Sequence, residues 1–143
     1  MKAVSDTLNV PREIPKPRSY SAAFWRGSRE ERLLVQFDPR CGKYQFYPRP
    51  TSIYDGRRGL EWREVSGEGA IFSFTIVRRA PPPFRGSEPF VIAVVSLDIG
   101  VNVMSNIVHC DLERLSIGLR VRPFWAPLSN GDNLLLFQPD PLQ

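Results

Sequence analysis

The sequence predicts a mainly β protein whose larger part closes into a small five-stranded barrel. Three observations carry that expectation. From residue 60 onward, short apolar runs alternate with turn signals at regular spacing. The run Phe90–Leu97 is apolar on both faces, so one face can fill a barrel while the other needs a cover. The glycines of Ser66-Gly67-Glu68-Gly69 suggest a bulge, the device by which small barrels turn a corner.

Taken in order, residues 1–18 read as an extended lead, because Pro11, Pro15 and Pro17 remove backbone donors and block a helix. Ser19 to about Arg26 reads as a short helix that Ser19 or Ser21 can cap and Gly27 can end. Tyr20, Phe24 and Trp25 would share one of its faces. Ser28-Arg29-Glu30-Glu31 resembles a capping box and suggests a second short turn. Leu33–Phe37 and Tyr44–Tyr47 read as a hairpin turning at Arg40-Cys41-Gly42-Lys43, and Pro48–Gly59 as a loop.

Leu60–Val65 and Ala70–Arg78 are expected to be one long strand bent at the glycines. A Pro-rich loop, Ala80–Glu88, leads to the apolar strand Phe90–Leu97, which pairs with Val101–Val108 across Asp98-Ile99-Gly100. Asp111–Gly118 has room for one helical turn. Leu119–Ala126 and Leu134–Gln138 form the last hairpin across Ser129-Asn130-Gly131-Asp132, since Asn-Gly tolerates positive φ at little cost. Five strands, the first long and bent and a short helix between the third and fourth, make the pattern of an OB-fold barrel. The expected division is a lead with short helices over 1–32, a small ribbon hairpin over 33–59 and the barrel over 60–143.

Composition agrees with one ordered unit. The chain has 143 residues, 42% apolar and 24% charged, which bounds it to a single compact domain or a small domain with an appendage. Its fourteen prolines fall in clusters that punctuate the chain. The net charge of +4 is uneven: residues 11–40 hold seven Lys/Arg against four acids, whereas residues 98–143 hold three Arg against five acids. That excess suits nucleic acid, a phosphorylated ligand or an acidic protein surface, or is simply a solvated surface. Two cysteines, Cys41 and Cys110, are too few for a disulfide scaffold. No apolar signal region opens the sequence and no run nears the roughly 20 residues of a membrane span, so a soluble cytoplasmic protein is expected.

Several short motifs, in order, resemble a known family. Leu60-Glu61-Trp62-Arg63-Glu64-Val65-Ser66-Gly67-Glu68-Gly69 is similar to that family's W-x-x-V-S-G-x-G entry to the barrel. Pro89 to Gly100 resembles its P-Y-V-V-A-L-V-x-L-D-x-G, and Leu115 to Val121 its L-x-I-G-M-x-V. With Phe24-Trp25 and Leu33-Leu34-Val35-Gln36 upstream, the resemblance covers roughly residues 10–138. The family is the acyl-CoA-associated OB-fold family, domain of unknown function 35. The resemblance implies an N-terminal helical segment, a rubredoxin-like zinc ribbon and an OB-fold. It also implies work as an accessory subunit of thiolase-like, acyltransferase, aldolase or hydratase enzymes that use acyl-CoA.

The chain departs from the family at the ribbon. Zinc there needs two C-x-x-C pairs, so that four thiolates surround one tetrahedral ion. The matching positions are Asp38, Cys41, Ser52 and Asp55, and one thiol remains. A mixed Asp38/Cys41/Asp55 site is one alternative, but neutral Ser52 is a poor fourth ligand. The other is a degenerate, metal-free ribbon held by different contacts, with Phe37, Tyr44, Phe46, Tyr47, Ile53 and Tyr54 as candidates for a replacement core.

Catalytic chemistry has little to stand on. His109 is the sole histidine and has no orienting acid by sequence, Cys41 has no partner, and no phosphate-binding glycine loop occurs. The expected function is a non-catalytic accessory subunit in a hetero-oligomer with a thiolase-like protein, with no catalytic residue and no cofactor of its own. Arg78, Arg79 and Arg85 around Phe84 could present guanidinium groups to CoA phosphates. Phe24, Trp25, Tyr44, Phe46, Tyr47 and Tyr54 are candidate partner anchors. A single-stranded nucleic-acid module is the alternative, since Tyr44, Phe46 and Tyr47 lie near Lys43 and Arg49. An independent thioester enzyme is a third reading, weakened by the missing acid–base pair.

Overall fold

In a computed structural model, described over residues 3–4 and 13–141, the chain forms a closed five-stranded barrel and a smaller three-stranded sheet. Residues 1–2, 5–12 and 142–143, and with them most of the expected extended lead, lie outside the described residues. Ala3–Val4 (β1) pairs antiparallel with Cys110–Asp111 (β8).

The helical segment is one helix where two were expected. A 3-10 turn at Ser19–Ser21 runs into α1, Ala22–Arg29. Gly27 continues the helix instead of ending it. A Cβ at Gly27 would stand 2.7 Å from the carbonyl oxygen of Arg32 and 3.0 Å from Leu34, so this glycine serves close approach to the strand that follows. Ser28 therefore caps nothing. Its buried hydroxyl donates back to the Trp25 carbonyl at 2.6 Å and accepts the Asn133 amide at 3.2 Å. Arg29 donates to Asp132 at 2.7 Å, which pins the helix end to the Asn130-Gly131 turn of the barrel.

Leu33–Asp38 (β2) pairs with Lys43–Gln45 (β3), as the hairpin expectation required, although β3 stops before Phe46. Glu61–Val65 (β4) is a correction. It pairs with β2 from Leu33↔Val65 to Phe37↔Glu61, and so belongs to the ribbon's sheet, not to the barrel. Trp62 and Val65, set among charged residues, signal a short strand with an apolar side chain on each face, but not which neighbour it joins. Arg63 lies over the Phe37 ring at 3.7 Å, a diagonal cross-strand contact on the face that also carries Leu33 and Val35.

The chain then crosses to the barrel in three residues, Ser66–Glu68. Gly67 has φ of +76°, and a Cβ there would collide with Pro123 and stand 2.9 Å from Leu33. No side chain fits where the two sheets meet. Gly69–Val77 (β5), Phe90–Leu97 (β6), Asn102–Ile107 (β7), Arg120–Pro127 (β9) and Asn133–Pro139 (β10) close the barrel in the order β10-β7-β6-β5-β9. The register shift that bends β5 lies between Ile71 and Ser73, later than the glycines that suggested it.

Alternate residues of β6 fill the interior: Val91, Ala93, Val95 and Leu97 are buried, together with Ile71, Val103, Ile107, Val121 and Phe137. This core continues into the ribbon through Leu33, Val35 and Phe24. The seam between β7 and β10 is thin, one parallel pair at Phe137↔Ile107. The Ser105 hydroxyl reinforces it by donating to the Leu135 carbonyl at 2.7 Å.

Candidate functional site

Two like turns build the tip of the ribbon. Asp38 begins one, in which the Gly42 amide donates to the Asp38 carbonyl at 2.8 Å. Ser52 begins the other, in which the Gly56 amide donates to the Ser52 carbonyl at 2.9 Å. Both glycines have positive φ, +69° and +75°. The turns bring together three of the four positions where the family resemblance implies zinc ligands.

Their side chains are engaged with one another. Asp38 is 0% exposed. It accepts the Ser52 hydroxyl at 2.6 Å on one oxygen, and the Arg40 amide at 2.9 Å and Arg40 Nε at 3.2 Å on the other. Arg40 Nε also stands 3.2 Å from Asp55, and the same guanidinium donates to the Arg58 carbonyl at 2.7 Å. The Ser52 hydroxyl bond, ahead of the opposing effect of burial and then Arg40, holds the Asp38 carboxyl below its ordinary value. Cys41 stays exposed, its sulfur 3.9 Å from the Asp38 carbonyl. This set does not fit zinc: a guanidinium lies against both carboxylates, the hydroxyl is committed to Asp38, and one thiol stands outside. Among the described residues no group of three His, Cys, Asp or Glu converges on a metal position.

The six candidate aromatic anchors divide. Phe24 is buried in the core, meeting Trp25 and Phe46 edge-on at 5.0 and 5.8 Å. Tyr44 packs against Phe37 at 4.8 Å, and Trp25, Tyr44 and Phe46 are half-buried against the core. Tyr54 is exposed, its hydroxyl donating to the Tyr44 carbonyl at 2.6 Å with Lys43 over its ring. Tyr47 is 49% exposed and reaches the barrel, where its phenol oxygen accepts the Met104 amide at 3.1 Å.

Tyr47 thereby joins an apolar stripe that sequence reasoning missed. Met104 (63% exposed) lies opposite outward-facing Val94, and Val94 lies opposite Ser73, next to Phe72 (59% exposed) at the β5 bulge. The stripe Tyr47–Met104–Val94–Phe72 thus crosses three strands of the outer barrel wall. Its signal in the sequence was the two-sided apolarity of β6; Phe72 faces outward by ordinary alternation from buried Ile71, and the bulge places Ser73 instead of Phe72 opposite Val94.

The Pro-rich loop is ordered by Glu88, whose carboxylate accepts the Ala80 amide at 3.2 Å and the Gly86 amide at 2.6 Å. Phe84 packs on Phe90 at 6.4 Å, and Arg78, Arg79 and Arg85 are exposed without an ion-pair partner among the described residues. A second basic surface is a groove of about 490 Å³ with Tyr20 and Trp62 beside Arg49 and Arg58 in its lining. His109 is exposed against Gln138 at 3.1 Å and edge-on to Phe124, with no ion-pair partner among the described residues. Cys110 is buried, and burial pushes its thiol up to about 11.

These features define an OB-fold protein with a ribbon appended and a broad apolar surface. Comparison with known proteins places it further. The family model for the C-terminal OB-fold domain of ChsH2 matches residues 62–126. A DUF35 domain-containing scaffold protein of Methanocaldococcus jannaschii is 31% identical over 76% of this chain and 79% of its own length. The one from Pyrococcus furiosus is 31% identical over 74% and 77%. The chain belongs to the DUF35 family. It is also 31% identical to the 3-oxo-4,17-pregnadiene-20-carboxyl-CoA hydratase alpha subunit of Mycobacterium tuberculosis, but spans only 44% of that protein. Among solved structures, a chain of the Ltp2-ChsH2(DUF35) aldolase shares the fold at a TM-score of 0.77 and 24% identity, over 88% of this chain and 98% of that one. No helix among the described residues is long and apolar enough to cross a membrane.

Proposed function

We propose that this chain is a non-catalytic accessory subunit that docks on an acyl-CoA-using enzyme of the thiolase-like class. The observation that carries the reading is the outward stripe Tyr47–Met104–Val94–Phe72, in which exposed Tyr47, Met104 and Phe72 flank half-buried Val94 on an otherwise well-filled barrel. Such side chains are typical interface anchors, and a stable complex would bury over about 1,000 Å² around them. Relatives named as scaffold proteins and as the alpha subunit of a CoA-thioester hydratase support the same reading. The Pro-rich loop, stiffened by Glu88, presents Arg78, Arg79 and Arg85 as phosphate contacts for the CoA of the assembled enzyme.

Nucleic-acid binding draws less support. Of the aromatics that would stack on bases, Tyr44 is packed on Phe37 and Phe46 on Phe24.

The test is co-expression with a thiolase-like protein of the same cell, followed by size-exclusion chromatography. The wild-type chain should co-elute with the enzyme, and Phe72→Glu with Met104→Glu should separate them while the free chain stays folded. Co-elution unaffected by both changes would rule out the stripe. Replacing Arg78, Arg79 and Arg85 together should raise the KM for acyl-CoA in the intact complex. A rise produced instead by replacing Arg49 and Arg58 would move the phosphate contact to the groove.

A further inference from the structure

We infer that Arg40 does for this ribbon what a metal ion does in a zinc ribbon: its guanidinium is the cation that clips the two tip turns together. A carboxylate as buried as Asp38 must have its charge matched and its oxygens bonded. Arg40 meets both needs. It sits two residues into the first turn, bonds Asp38 at its base, then reaches across to Asp55 in the second turn and to the Arg58 carbonyl just beyond it. Ser52 completes the link with its hydroxyl on the other Asp38 oxygen. A planar fork is suited to this, because it binds two carboxylates and a carbonyl at once, whereas the compact ammonium of lysine acts as a point charge. The like frames of the turns, Asp38 to Gly42 and Ser52 to Gly56, are the shape that a metal would otherwise hold. The ribbon of this chain thus keeps its fold without metal.

The experiment uses the full chain purified without chelator. Elemental analysis should give well under one zinc per chain, and EDTA should leave Tm within about 1 °C. Arg40→Met should lower Tm by at least about 5 °C, with Arg40→Lys recovering only part. The converse variant carries Asp38→Cys, Ser52→Cys and Asp55→Cys beside the native Cys41, with Arg40→Gly. It should take up about one zinc and become chelator-sensitive. Stoichiometric zinc in the native chain that disappears in Cys41→Ser would overturn the inference. So would a native Tm that falls with EDTA, or an Arg40→Met protein as stable as the wild type.

Discussion

The phenol oxygen of Tyr47 accepts the main-chain amide of Met104 at 3.1 Å, so a side chain of the ribbon loop satisfies the backbone of the barrel. The bond falls at β7, the strand whose seam with β10 has a single paired register position. An amide left open there would be a polar break beside an apolar surface. Tyr47→Phe removes the acceptor and keeps the ring. The expected cost is about 1 kcal/mol in folding, and the Met104 amide should exchange with solvent measurably faster by NMR. Unchanged exchange would mean that the bond does not persist in solution.

Phe137 is fully buried and sits where the barrel closes, paired with Ile107 on one side and Pro123 on the other. Phe137→Ala should cost about 3–5 kcal/mol by denaturant unfolding. Ile117→Ala, at an exposed position, should stay within about 0.5 kcal/mol. Similar costs for the two would deny that the seam is a structural weak point.

The two thiols should react very differently. Cys41 is exposed, whereas Cys110 is buried with its thiol pushed up to about 11 and directed to the Ile107 carbonyl. Iodoacetamide at pH 8 should label Cys41 in the native protein and reach Cys110 only after unfolding, as read by peptide mass spectrometry. Rapid native labelling of Cys110 would show that β8 opens locally.

Arg120 donates both prongs of its fork to Asp98, at 2.8 and 2.5 Å, and ties the β6–β7 turn to the start of β9. The Arg120 hydrogen bond holds the Asp98 carboxyl below its ordinary value. A depressed carboxyl contributes stability above its unfolded pKa of about 3.9, and loses it as pH falls through the lower folded value. Both groups are half-exposed, so the contribution should be small and screened by salt. Asp98→Asn should lower Tm slightly at pH 7 in low salt and leave it unchanged at pH 2. A loss of the same size at both would assign the effect to turn geometry alone.

Much of the barrel was legible because its signals are local. Phe90–Leu97 was bounded by sequence at the residues where the strand begins and ends, and Asn130-Gly131 marked the last hairpin. What escaped depended on distant partners. The pattern of Glu61–Val65 says strand, yet only its register with β2 says which sheet. Gly27 looked like a helix terminator because that is the commoner use of such a glycine, while its cause is the Arg32 carbonyl beside it. In the candidate site, Asp38, Ser52 and Asp55 stood out as replaced ligands. Arg40 looked like any turn residue, because its role is set by carboxylates on two different turns. The stripe was half-visible: β6 showed an apolar outer face, but Met104 and Phe72 join it only through the pairing of β6 with β7 and β5.

The crossing at Ser66–Glu68 has a mechanical consequence. Three residues reach about 10 Å when fully extended, and Gly67 is already wedged between Pro123 and Leu33. The helix end is fastened to the far hairpin by Arg29 and Asn133. There is no slack for a swivel. A force applied at the ribbon tip would arrive at the barrel wall as a torque, and a protease seeking a linker to cut between the two would find none to grip.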